Sequence, residues 1–134
     1  MCKKLITAVF TVFLFFISIT AVSALDEVGS ITVNLEEGKK GTSVKNVELE
    51  LIKIADIING QYLLINDLQD TEVNLNTLET AEDMKNAAYT ISKITVSKNI
   101  VGTRKTTNDY GTVKFDQLEK GVYLLQATDI NKYE

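Results

Sequence analysis

The stretch TTNDYGTVKFDQLEKGVYLLQATD, residues 106–129, decides the fold. It holds two short alternating runs set apart by turn residues. Asn108, Asp109, Tyr110 and Gly111 make the first turn, and Thr112 to Phe115 follow with Val113 and Phe115 on one face. Glu119, Lys120 and Gly121 then turn the chain into VYLLQAT. Side chains alternate along a strand, so Val122 and Leu124 share one face while Tyr123 and Leu125 share the other. Both faces are apolar. That predicts a strand covered twice, by an opposing sheet on one side and by a helix or a neighbouring domain on the other.

Upstream, Gly29 to Leu35 alternates Ile31, Val33 and Leu35 with Ser30, Thr32 and Asn34, which predicts a first strand. Residues 36–43 hold two glycines and no apolar residue, the composition of a solvated loop. Val47, Leu49 and Leu51 then alternate with Glu48 and Glu50 before Ile52 and Ile54 load the other face. This reads as a strand that starts half exposed and ends covered on both sides. Asn59 and Gly60 are a strong hairpin signal leading into Gln61 to Ile65. From Thr77 to about Thr95 the period changes, and Leu78, Ala81, Met84, Ala88, Ile91 and Ile94 or Thr95 recur at three and four residues. That spacing predicts one amphipathic helix, capped by Thr80 with Asp83 and packed over a sheet edge or core end. Short antiparallel strands, tight turns and a lone helix together predict a mainly β fold, a small Greek-key sandwich with one inserted helix.

The chain opens with Lys3 and Lys4, an apolar run from Leu5 to Ile19, and the small-residue stretch Thr20, Ala21, Val22, Ser23, Ala24. This is the pattern of an export signal, with Val22 and Ala24 at the positions a signal peptidase reads. Residues 1–24 are expected to be a signal peptide cleaved after Ala24, and residues 25–134 to be one domain. A retained anchor is the competing reading, but the run is shorter than the roughly 20 residues a helix needs to cross a bilayer. Cys2 precedes the apolar run, whereas a lipid-modified cysteine would follow it, so Cys2 is expected to leave with the signal.

From Leu25 onward the chain has 12 basic and 18 acidic residues, so its net charge becomes −6 against −4 for the whole. An acidic surface argues against nucleic acid as a partner, since phosphate binding needs clustered Lys and Arg. Membrane contact is expected only through the signal peptide during export. The chain has no histidine or tryptophan, and its single cysteine is Cys2. Thiol nucleophiles, imidazole bases, disulfides and most transition-metal sites are therefore outside its chemistry after cleavage. The acidic neighbours Glu36 with Glu37 and Glu82 with Asp83 read as solvated charge rather than as a glycosidic pair. No catalytic, cofactor-binding or metal-ligating residue is expected, and no cofactor.

The order of GSITVNL, VELELIKIAD, the helix around LETAEDMKNAAYTISK and the 106–129 stretch resembles the prealbumin-like, immunoglobulin-like SpaA or Cna B-type domain of Gram-positive pilin subunits, N-terminal domain type. The resemblance covers residues 29–133. It implies a secreted protein, built into pili or the cell wall when part of a longer sortase-anchored chain. Its implied partners are other surface-protein or pilus domains and a host or matrix protein. Many members of that family carry an internal Lys to Asn or Asp isopeptide bond assisted by a buried acid. Here Asn34 and Leu35 stand near the reactive lysine's position, and Gln126 stands where the acid is placed. A glutamine cannot relay a proton. Lys39, Lys40 and Lys120 sit in polar surroundings, so no intramolecular isopeptide bond is expected. The closing residues Lys132, Tyr133 and Glu134 carry no sorting motif, which reads as the leading part of a longer or truncated subunit. The resulting expectation is a non-catalytic extracellular structural and adhesion module. The alternative is a secreted binding module for a glycan or an extracellular-matrix protein, with Tyr110 the one aromatic in an obvious turn.

Overall fold

The structure, a computed structural model, describes residues 13–17, 28–38 and 43–128. Its elements in chain order are β1 (Phe13–Ile17), β2 (Gly29–Asn34), β3 (Glu48–Ile58), β4 (Gln61–Leu64), α1 (Ala81–Ser97), β5 (Thr103–Thr106), β6 (Thr112–Leu118) and β7 (Gly121–Ala127). Alternation and turn chemistry place β2, β3, β4, β6 and β7 near the runs read as strands, while a further strand, β1, lies inside the apolar run expected to be a signal peptide. Short 3-10 turns at Asn66–Leu68 and Leu75–Thr77 carry the chain from β4 to α1. The expected cleavage after Ala24, Cys2, the lysines at 39 and 40 and the C-terminal residues from Asp129 lie outside the described residues.

Among the described residues the molecule is largely strand with one α-helix, arranged as two sheets. The larger sheet runs β1-β7-β3-β4, with β5 pairing to the β4 side of β3, and every pair is antiparallel. The smaller is the antiparallel ribbon β2-β6, in register from Ile31↔Phe115 to Asn34↔Thr112. Between them Ile31, Val33, Val113 and Phe115 meet Leu49, Leu51, Tyr123 and Leu125. On the far side of the large sheet, Ile52, Ile54, Ala55, Val122 and Leu124 meet Ala88 and Ile91 of α1, with Leu68 and Leu75 of the connecting segment. The double-sided reading of β7 therefore holds: Tyr123 and Leu125 face the other sheet, Val122 and Leu124 face the helix.

The helix placement follows the expectation of a helix over a sheet edge. α1 lies over the β1–β7 end of the large sheet, and its apolar side reaches Ile52 and Ile54 of β3 from there, covering the apolar row on that face. Its buried positions are Ala87, Ala88, Ile91 and Thr95, while Ala81 is exposed and Leu78 precedes the first turn. The cap is the expected one. Thr80 Oγ1 accepts from the Asp83 N–H at 3.0 Å and the Asp83 carboxylate accepts from the Thr80 N–H at 3.2 Å, a reciprocal box. At the other end Asn99 takes φ 54°, the Ile100 N–H donates to Thr95 O and the Asn99 N–H to Val96 O. This is a Schellman closure with asparagine in the left-handed position. Thr80→Ala is expected to lower stability by about 1 kcal/mol, with Thr80→Ser close to wild type, as urea denaturation would measure. An alanine variant indistinguishable from wild type would contradict the cap's role.

The β3-β4 hairpin closes through Asn59 and Gly60, both with positive φ (51° and 76°), the signature of a two-residue type I′ turn. Strand β5 escapes the sequence reading because TRKT is exposed at every position and carries no apolar alternation. Its backbone pairs with β3 from Glu48↔Thr106 to Leu51↔Thr103.

Candidate functional site

Glu50 was read as part of the polar face of a half-exposed strand; in the fold it is 4% exposed. The reason is register. Glu50 shares its face with Ile52, and that face lies under α1 rather than in water. Opposite it on β7 is Gln126, paired as Glu50↔Gln126. Gln126 Nε2 donates to Glu50 Oε1 at 3.0 Å, and the Ser92 hydroxyl of α1 donates to Gln126 Oε1 at 2.6 Å. The second carboxylate oxygen accepts from Arg104 Nε at 3.0 Å and from the Gly102 N–H at 3.2 Å. One chain of polar contacts thus joins α1, β7, β3 and β5. Gly102 has a steric reason for its identity as well, since a Cβ there would come within 2.7 Å of the Leu51 carbonyl carbon.

Burial would raise the Glu50 carboxyl, but the Gln126 amide, the Arg104 guanidinium and the Gly102 N–H together outweigh it and hold the group below its ordinary value of 4.5. A depressed acid contributes stability that is fully present above the unfolded value and is lost as pH falls through the folded one. The stability gap between wild type and Glu50→Gln is therefore expected to narrow as pH drops below about 4.5. Denaturation midpoints across that range check this; a gap that stays constant contradicts it. Each oxygen of the Glu50 carboxylate has a donor, and its amide neighbour cannot relay a proton as an acid would. The cluster pins the helix to the sheet.

Lys53, also on β3, lies near Gly121 at the start of β7. Its ammonium contacts Asp56 at 2.8 Å and Glu119 at 3.0 Å. Burial would lower its pKa, and those two carboxylates more than offset this and raise it. The amine stays protonated and so is a poor nucleophile at neutral pH. Tyr123 donates its hydroxyl to Glu119 O at 2.7 Å, and burial pushes its pKa up.

The other residues singled out in the sequence are dispersed. Asn34 Oδ1 accepts from the Thr112 hydroxyl at 2.9 Å at the end of the β2-β6 ribbon, and Leu35 packs at the rim of the inter-sheet core. Glu36, Glu37, Glu82 and Lys120 are exposed. Tyr110 is 86% exposed, at the tip of a turn in which Asn108 Oδ1 accepts from the Tyr110 and Thr112 N–H groups. An open cleft of about 430 Å³ lies along β4 between Tyr62, Gln69, Val73 and Asn76. Asn76 is occupied there, accepting from the Tyr62 N–H at 2.8 Å and donating to Tyr62 O at 2.9 Å as a strand would. Among the described residues no cluster of acids is arranged to hold a metal ion.

Comparison with protein-family models, with curated proteins and with solved structures returned no match to this chain.

Proposed function

We propose that the chain is a module of an exported, non-catalytic surface protein of the Gram-positive pilin type, contributing structure and adhesion rather than turnover. On this reading residues 25–134 are a prealbumin-like Greek-key sandwich with an inserted helix, secreted or carried on the cell wall. The observation that supports it most is β7, an apolar strand covered by the second sheet on one face and by α1 on the other. It follows an export-type N-terminus in a chain whose only thiol is Cys2. The acid–amide cluster supports a mechanical role, since its hydrogen bonds tie four elements together. Its partners are then other surface or pilus domains and a host or matrix protein.

Expression of the full chain in a Gram-positive host tests the reading. Secreted protein is expected to begin at Leu25, and its intact mass to show no loss of the roughly 17 Da of ammonia that a Lys–Asn bond expels. Recovery from the cytosol with an intact N-terminus would overturn export. A glycan- or matrix-binding module is the second reading, favoured by the Tyr62–Asn76 cleft and by the exposed Tyr110. Micromolar binding on a glycan array, lost in Tyr62→Ala or Tyr110→Ala, would establish it.

A further inference from the structure

The outer edge of β7 carries a strand drawn from the apolar N-terminal run. β1 pairs there antiparallel over five residues, from Phe13↔Leu125 to Ile17↔Gly121. Cleavage after Ala24, proposed above, removes that strand and leaves the β7 edge bare. On the opposite side of the sheet the β5 half carries Arg104 and Lys105, a common protection of an exposed edge, while the β4 half, QYLL, is uncharged. Residues 121–127 carry no charge at all. α1 packs on β1 as well as on β7, so the slot is roofed by the helix. A single extended strand fits beneath such a roof, whereas the β7 edge of a second copy would bring its own α1 into the same space.

We infer that the β7 edge is a strand-acceptor site. Residues 13–17 fill it in the uncut chain, and after their removal an extended, uncharged, apolar segment of a partner polypeptide binds there antiparallel. Main-chain hydrogen bonds to residues 121–125 supply the attraction, and the apolar, uncharged character of FLFFI defines what the slot accepts. This rests on removal of the leader, but the slot itself can be tested without natural processing.

The test uses the full chain with a sequence-specific protease site replacing residues 21–24, purified folded and assayed before cutting and again after cutting and removal of the released N-terminal peptide by refolding and gel filtration. The probe is a fluorescent peptide, FLFFI flanked by two lysines at each end; its control carries proline in place of the central phenylalanine. The cut protein is expected to bind one probe per chain at least about tenfold more tightly than the uncut protein, a difference of about 1.4 kcal/mol, and the proline peptide not to bind. In a Cys2→Ser, Val122→Cys background, a probe whose cysteine at the Phe16 position is supplied as its mixed disulfide with glutathione is expected to exchange onto the new thiol at position 122 of the cut chain alone, releasing glutathione. Equal binding to both forms, binding of the proline peptide, or no binding to either would overturn the acceptor site. N-terminal sequencing of exported protein reports separately on cleavage, so a chain that is never exported would refute the functional reading and leave this result standing.

Discussion

Phe115→Ala is expected to destabilise the domain by about 3–5 kcal/mol, the largest effect of any single truncation in the inter-sheet core. Phe115 is fully buried and is the bulkiest of the sealed side chains. It projects from β6 toward Leu49, Leu51, Tyr123 and Leu125 of the large sheet. A two-stranded ribbon is marginal by itself, so β2-β6 owes its place to this face-to-face packing. Lys105 from β5 closes the outer side, its ammonium 5.8 Å from the ring centre while donating to Lys114 O at 2.9 Å. Truncation would open a cavity that two stiff sheets collapse into poorly. Against a total stability of about 5–15 kcal/mol for such a domain, this is about a fifth or more of the whole. Urea denaturation measures the loss, and faster amide exchange confined first to β2 and β6 would show that the ribbon undocks. Tyr110→Ala, at an exposed turn tip, is the control and is expected to stay within about 0.5 kcal/mol of wild type. A Phe115→Ala loss below about 1 kcal/mol would mean that the inter-sheet core is not what holds the ribbon.

The elements that could be read from sequence are those whose burial follows a local period. β7 was legible because both of its faces are apolar, and α1 because its period and its Thr80–Asp83 box coincide. The β3-β4 hairpin was legible because Asn59-Gly60 suits only one kind of turn. What escaped was set by contacts distant in sequence. β5 has no apolar residue to betray it and exists through pairing with β3. The burial of Glu50 depends on α1, some thirty residues on, crossing that face of the sheet. One signal was available: Glu50 stands in line with Ile52, so a charge sat on a row that became apolar two residues later. Gln126 was noticed as an amide where an acid was expected. Its partner could not be found without the register Glu50↔Gln126.

That register makes Gln126→Glu the sharpest test of the cluster. The substitution keeps the shape and replaces the Nε2 donor, 3.0 Å from Glu50 Oε1, with a second carboxylate oxygen. Two like charges at that distance in a buried site cannot both ionise cheaply, so the pair would take up a proton or be driven apart. The Ser92 hydroxyl would serve either oxygen and relieves nothing. Arg104 already accompanies Glu50, its guanidinium half exposed while the carboxylate is buried. The cost at about pH 8 is expected to be roughly 3 kcal/mol, the scale of an uncompensated buried charge. The pH dependence should run opposite to that of wild type. A pair whose folded pKa is raised regains stability as pH falls through that raised value, so Gln126→Glu should recover between about pH 8 and about pH 5. Wild-type Glu50 contributes fully over that interval and is lost only at lower pH. The exchange Glu50→Gln with Gln126→Glu restores one acid beside one amide and is expected to regain part of the loss, while leaving Arg104 short of its carboxylate. Denaturation midpoints of the four proteins at both pH values complete the cycle. A Gln126→Glu protein as stable as wild type at the higher pH would show that these two side chains do not share a buried site.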